Sequence, residues 1–241
     1  MSGFKERTTE PEIMDDADLH HELLNAVLRD VSVANRLLGG NRITENAVAQ
    51  ILKEHPAQTH RILDVGCGEG AMLRKLAQLC RRQGYKAEFL GLDLSESSIS
   101  LAREHSKAYP EIKYVTGDLL EANPQQIQCD IALCTLTLHH IPTAKVPAFL
   151  EQMAKTARLA VLVNDLQRSR LAYCLFKAFS VIFIKTKVAR HDGLVSIKKG
   201  FRRKELVQFS NQIPGYEYMI SWKWAFRYLL TLRAINTKSN A

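Results

Sequence analysis

No two of the five cysteines in this 241-residue chain form a C-x-x-C pair, and five is an odd number. Cys67, Cys129 and Cys134 fall in or beside apolar runs that read as buried strands, so neither a disulfide framework nor a zinc site is expected. The first twelve residues hold no apolar signal segment and read as disordered; the expected address is a reducing cytoplasm. No run is long enough to cross a membrane. Leu171 to Ile184, broken only by Lys177 and Ser180, would reach about 21 Å as a helix against a hydrocarbon core of ~30 Å. Acid is scarce toward the C-terminus. Residues 1–154 hold 16 Lys and Arg against 21 Asp and Glu, whereas residues 155–241 hold 17 against 4. Such a half is either a solvated basic face or a surface for an anionic partner. Aromatic residues make up only 7% of the chain, and no aromatic-basic platform for nucleic acid stands out.

What is present is a punctuated α/β pattern, with enough length and apolar content to bury a core. Its centre is RILDVGCGEG, Arg61 to Gly70. A buried strand runs into a loop with Gly66, Gly68 and Gly70, and an amphipathic helix follows, closed by Gly84. Glycines allow a tight turn and close approach of a ligand, and the helix N-terminus offers unpaired N–H groups. GCGEGA also satisfies the dinucleotide pattern G-x-G-x-x-G/A, with Asp93 as its later acid. Asp64, however, stands two residues before the first glycine. A carboxylate there repels a pyrophosphate and suits a cofactor carrying a positive amine or sulfonium.

Further strands end at Asp93, at Asp118, near Leu138 ahead of His139-His140, and at Asn164-Asp165. Carboxyl ends of parallel strands share one crevice, so Asp64, Asp93, Asp118, His139, His140 and Asp165 are expected to converge. Ahead of the first strand, residues 14 to about 55 read as helical, with Thr44 capping a second helix that begins ENAVAQ. Leu171–Ile184 has three readings: a lid over an apolar substrate, an interfacial helix on acidic lipid, or a core helix. FRRKELVQFSNQI reads as a helix, followed by two strands, YEYMISWKW and FRYLLTLRAI.

Asp64, Gly66, Gly68 and Gly70 resemble the D/E-x-G-x-G-x-G motif of class I S-adenosylmethionine (SAM) dependent methyltransferases. The resemblance implies a Rossmann-like, seven-stranded, mostly parallel sheet with helices on both faces and an antiparallel last strand. It implies an N-terminal helical lid over residues 1–57 and a SAM-binding domain over 58–241, with a lid or substrate insertion at about 166–200. Cofactor contacts are implied at Asp64, Gly66, Cys67, Gly68, Gly70, Asp93, Leu94, Asp118, Leu119 and Thr135. The L-H-H-I phrase is similar to small-molecule methyltransferases of the ubiquinone/menaquinone and natural-product type. NRLLGGNRI, NDLQRSRLAY, ARHDG and FRRKEL resemble a bacterial group tied to polyketide and alkyl-phenol assembly. Some ubiquinone O-methyltransferases hold a metal near E-x-x-E-H, but Leu136, His139 and His140 lack the first Glu, so no metal is expected.

The expected reaction is O-methylation of a small, hydrophobic phenolic or quinol-like acceptor. Histidine is the side chain suited to take the proton near neutral pH. His140 is the expected base, with His139 packed beneath and Asp165 adjacent. Peripheral membrane contact is an expected accompaniment, and no obligate protein partner is evident. Two rival readings are an RNA or protein methyltransferase using the basic half and a non-methylating SAM-fold cyclase or binding protein. The fourth strand lacks the N/D-P-P-Y/F tip of adenine amino methylases, and Asp64 argues against a nicotinamide oxidoreductase.

Overall fold

A computed structural model describes residues 4–15, 21–56 and 58–235. One sheet orders its strands β3-β2-β1-β4-β5-β7-β6. These are β1 His60–Val65, β2 Ala87–Asp93, β3 Ile112–Thr116, β4 Cys129–Thr135, β5 Ala157–Leu166, β6 Tyr216–Lys223 and β7 Arg227–Ala234. Strands β1 to β5 are parallel, and β7 runs antiparallel to both β5 and β6. This is the expected architecture. The chain winds outward through β2 and β3, then restarts on the other side of β1 with β4. The crevice of such a sheet opens where that reversal occurs, at the tips of β1 and β4.

Central strands lie between two apolar layers and therefore read as nearly unbroken hydrophobic runs. On one face α2 (Gly40–Glu54), α3 (Ala71–Gln83) and α4 (Glu96–His105) pack around Leu52, Leu73, Leu76 and Ile99. On the other, α5 (Val146–Thr156) and α8 (Arg203–Ser210) close over Leu150, Met153, Leu206 and Phe209. Helices α1 (His21–Leu37), α6 (Arg170–Phe183) and α7 (Lys187–Lys199) form a third group, joined by a small cluster at Val27, Ile184 and Ala189.

Several expectations are corrected. Residues 4–12 are not disordered: Phe4 and Lys5 carbonyls accept from Arg168, and Arg7 donates to the carbonyls of Lys199, Ile141 and His139. Residues 1–3, and residues 16–20 of the N-terminal helical reading, lie outside the described residues. Thr44 caps nothing, because α2 already begins at Gly40; its hydroxyl instead pairs with that of Thr135 at 3.1 Å. Strand β4 stops at Thr135 rather than near Leu138 because Leu136 turns to a left-handed φ of 56° and gives its N–H to Asn164 O. Helix α6 is no core helix, since within it only Ala172 and Ser180 are buried. Helix α7 was not anticipated.

The N-terminal strap is held through Arg168, which is 3% exposed. Its guanidinium meets Glu205 Oε1 at 2.5 Å and donates to Gly200 O at 2.6 Å as well as to the strap carbonyls. Removing one member of a buried, hydrogen-bonded ion pair leaves the other uncompensated. Arg168→Ala is therefore expected to lower the unfolding free energy by about 3 kcal/mol, read from denaturant midpoints. A loss within ~0.5 kcal/mol, the range of an ordinary surface substitution, would contradict that role.

Candidate active site

Asp64 ends near the floor of the crevice, 2% exposed. Its Oδ1 accepts no hydrogen bond among the described residues. Burial, with the Asp93 charge adding to it, pushes this carboxyl up to about 8. An orphaned buried carboxylate is costly and calls for a cationic group beside it. The chain then turns at Gly66, whose φ is +71°; a Cβ there would lie 2.2 Å from Thr137 Cγ2. Gly70, at φ +76°, leads directly into α3, and its Cβ would strike the Tyr114 hydroxyl. No other residue type fits at either place without displacement. Thr137, just past β4, donates to Gly66 O at 3.1 Å, so the two strand tips touch.

Asp93 braces the loop, accepting from Gly68 N at 2.8 Å and Ser95 N at 2.9 Å. These bonds leave lone pairs for a ribose diol, since a carboxylate has about four acceptor sites. Asp118 Oδ1 accepts from Leu120 N at 2.9 Å and fixes the turn after β3. Leu119 is buried in the core at 2% exposure, while Leu94 is 70% exposed; of these two, Leu94 presents the open apolar surface. The Cys67 thiol is pushed well up by burial and by Asp64 and Asp93, so it stays protonated. Thr135 is engaged with Thr44, which also accepts from Asn164 Nδ2. An orphaned acid, a glycine cradle and a braced strand-tip acid fit the adenosyl and amino groups of SAM.

Beyond the β4 tip, Leu138–His140 form a 3₁₀ turn instead of continuing the strand. The turn brings His139 Nδ1 to 2.7 Å from Asp165 Oδ1, and His139 N donates to Asp165 Oδ2 at 3.0 Å. Asp165 thus engages His139 rather than the expected base, His140. Burial would raise the Asp165 carboxyl, but the His139 charge, its hydrogen bond and backbone N–H donors outweigh burial and hold it below the usual carboxylate range. With Nδ1 turned to the acid, the reactive lone pair of neutral His139 lies on Nε2.

His139 and His140 Nε2 lie 3.8 and 3.9 Å from Glu12 Oε1, contributed by the strap. Glu12, His139 and His140 offer one donor atom each, all within 4.8 Å of one another. Lys199 Nζ, however, sits 3.2 Å from the same Glu12 oxygen. An ammonium there repels a divalent cation.

A cavity of about 440 Å³ opens from this pair toward the third helix group. Val31, Leu38, Leu136, Phe176 and Phe179 line it, with Glu12, His139, His140 and Arg227 at its polar spots. Such a volume accommodates a small organic molecule. Glu12, Arg7 and Arg227 were not found from sequence, because no local pattern marks them. The sign that could have raised Arg227 is a cation placed directly before the apolar run Tyr228-Leu229-Leu230.

Residues 62–159 match the family model for a methyltransferase domain. The ubiquinone biosynthesis O-methyltransferase of Azoarcus sp. (strain BH72) is 32% identical over 143 residues, which is 57% of this chain and 58% of that protein. The 2-phytyl-1,4-naphtoquinone methyltransferase of Thermosynechococcus vestitus is 40% identical over 58 residues, 24% of each. The chain thus spans less than two thirds of the length of these curated relatives. Among solved structures, the plantazolicin methyltransferase BpumL in complex with S-adenosylhomocysteine (SAH) is 14% identical, with a TM-score of 0.69 over 92% of both chains. Magnesium protoporphyrin IX methyltransferase from Synechocystis, with bound SAH, is 17% identical with a TM-score of 0.57, covering 92% of this chain and 91% of its own. Those two likenesses concern the fold. With the acid–glycine cradle and sheet order described above, residues 62–159 are similar to the methyltransferase-domain family, and the chain shares the fold of the SAH-bound methyltransferases named above.

Proposed function

We propose that this protein transfers a methyl group from SAM to an oxygen of a small, apolar, phenolic or quinol-like acceptor. The observation that carries the reading is the apolar cavity that reaches His139, the imidazole held by Asp165. SAM supplies a methyl group already activated on a sulfonium, so the protein's tasks are alignment and removal of the acceptor's proton. In this reading Asp64 balances the cofactor's positive charge, Asp93 receives the ribose hydroxyls, and Asp118 the adenine edge. His139 Nε2 takes the phenolic proton while Asp165 holds the ring and stabilises the imidazolium. The strap, α1 and α2 form the lid on one side and α6 the lid on the other.

Helix α6 has two apolar faces. Phe176 and Phe179 turn into the cavity, with Leu175 at its edge, while Leu171, Val181, Ile182 and Phe183 are exposed. Among the described residues no helix is long and apolar enough to cross a membrane. The outer face, with Lys177 and Lys185 near it, supports peripheral contact with acidic lipid from which a greasy acceptor would enter.

Each methylene buried is worth ~0.8 kcal/mol, so acceptor chain length is a direct probe. Phenols with octyl side chains are expected to show kcat/KM at least ~10-fold above their methyl counterparts, measured by transfer of labelled methyl. Equal rates for both, with no retention on anionic vesicles, would overturn the apolar-acceptor reading.

A further inference from the structure

Arg227 opens β7 and is 3% exposed, yet its side chain forms part of the cavity wall. Its hydrogen bonds are few and long: Nη1 to Ala225 O and Nη2 to Asn35 Oδ1, each at 3.3 Å. Nε has no acceptor. Among the described residues no carboxylate lies within ion-pairing distance of it. Burial pulls the guanidinium down to about 10, opposed by the Asp165 charge, which leaves it protonated at neutral pH.

The acids around it are committed elsewhere. Asp165 is bound to His139, and Asp30 accepts from the Lys185 and Thr186 N–H groups and from the Thr186 hydroxyl. Asp192 accepts from Ile13 N and Met14 N, and Glu12 faces Lys199. A buried guanidinium with unused donors is costly unless something else brings the anion. The open side of this one is the cavity.

We propose that Arg227 receives a carboxylate of the acceptor, so that the natural acceptor is an amphipathic acid whose hydrocarbon part lies among α1, α6 and α7. This rests on the acceptor-cavity reading above and narrows it. A planar guanidinium fork matches a carboxylate in two-point contact, which a lysine or a neutral residue does not reproduce. Alkyl phenols without an acid group would then bind through their chains alone and occupy the site less well.

The test uses simple ligands and needs no turnover. Decanoate and decanol have the same chain and differ in the charged group; their binding to the whole protein is measured by calorimetry, alone and with SAH present. The wild type is expected to bind decanoate at least ~10-fold more tightly, the scale of a charge-assisted hydrogen bond. Arg227→Met should erase that ratio while leaving decanol and SAH affinities unchanged. Arg227→Lys should keep part of it, and serves if the methionine variant does not fold. Equal binding of the two ligands by the wild type would overturn the proposal. So would undiminished decanoate preference in Arg227→Met, or loss of SAH affinity in its place, which would make Arg227 a cofactor contact. If SAH does not bind the wild type at all, the methyl-transfer reading fails, and a decanoate preference would still stand by itself.

Discussion

His139→Ala is expected to lower turnover at saturating SAM by about 10²–10⁴, the usual effect of removing a general base. The proton of a phenol must leave as the methyl arrives, and His139 is the imidazole whose second nitrogen is held by a buried acid. SAH affinity should remain nearly unchanged, because the proposed adenosyl contacts at Asp64, Asp93 and Asp118 do not involve His139. Asp165→Asn should reduce turnover too, since an amide cannot stabilise the imidazolium and can favour the wrong tautomer. His140→Ala should do less. The rate of His139→Ala should recover as pH rises toward the phenol's own ionisation, where no base is needed. Full activity of His139→Ala at neutral pH would remove it from the mechanism. A collapse in His140→Ala alone would return the role to that neighbour.

The second large effect concerns Asp64. Its carboxyl is raised to about 8 in the folded chain from an ordinary value of 3.8. The folded state therefore binds this proton more tightly than the unfolded one. The group's contribution to stability is fullest at low pH and is lost as pH rises through about 8. A cation placed beside the carboxylate reverses that cost. If only the ionised form accepts the cofactor's charge, affinity for SAH should rise about tenfold per pH unit below that value. Binding near neutral pH should release close to one proton, seen as a dependence of the heat on the buffer's ionisation enthalpy. Asp64→Asn should bind weakly and without this slope. Strong, pH-independent binding by the wild type would contradict the assignment.

The cradle was legible because its demands are local. Gly66 and Gly70 need positive φ and lack of a side chain, and Asp64 and Asp93 sit at the ends of obvious apolar strands. A parallel sheet followed from the alternation of apolar strands with helices, whereas its seven strands and antiparallel last strand were implied by the resemblance carried by Asp64, Gly66, Gly68 and Gly70. The acceptor side was less legible. Arg7 reaches His139 across 132 positions, and nothing in the strap's sequence announces it. Helix α7 hid because Asp192 and Lys199 are buried in it, at 2% and 8% exposure, which spoils an apolar stripe. The pairing of Asp165 with His139 rather than His140 depends on the 3₁₀ turn at Leu138–His140, which follows the left-handed Leu136. A leucine gives no local hint of positive φ, since that conformation is uncommon outside glycine, Asn and Asp. Unusual backbone of this kind gathers at functional sites because packing around them holds it in place.

The central claim is that the orphaned acid and its glycine loop receive a positively charged adenosyl cofactor. Calorimetry of the purified chain near neutral pH, first with SAH and then with NAD, tests it most directly. The account predicts saturable binding of SAH at about micromolar concentration, with proton release, and no heat with NAD. Heat with NAD and none with SAH would contradict it.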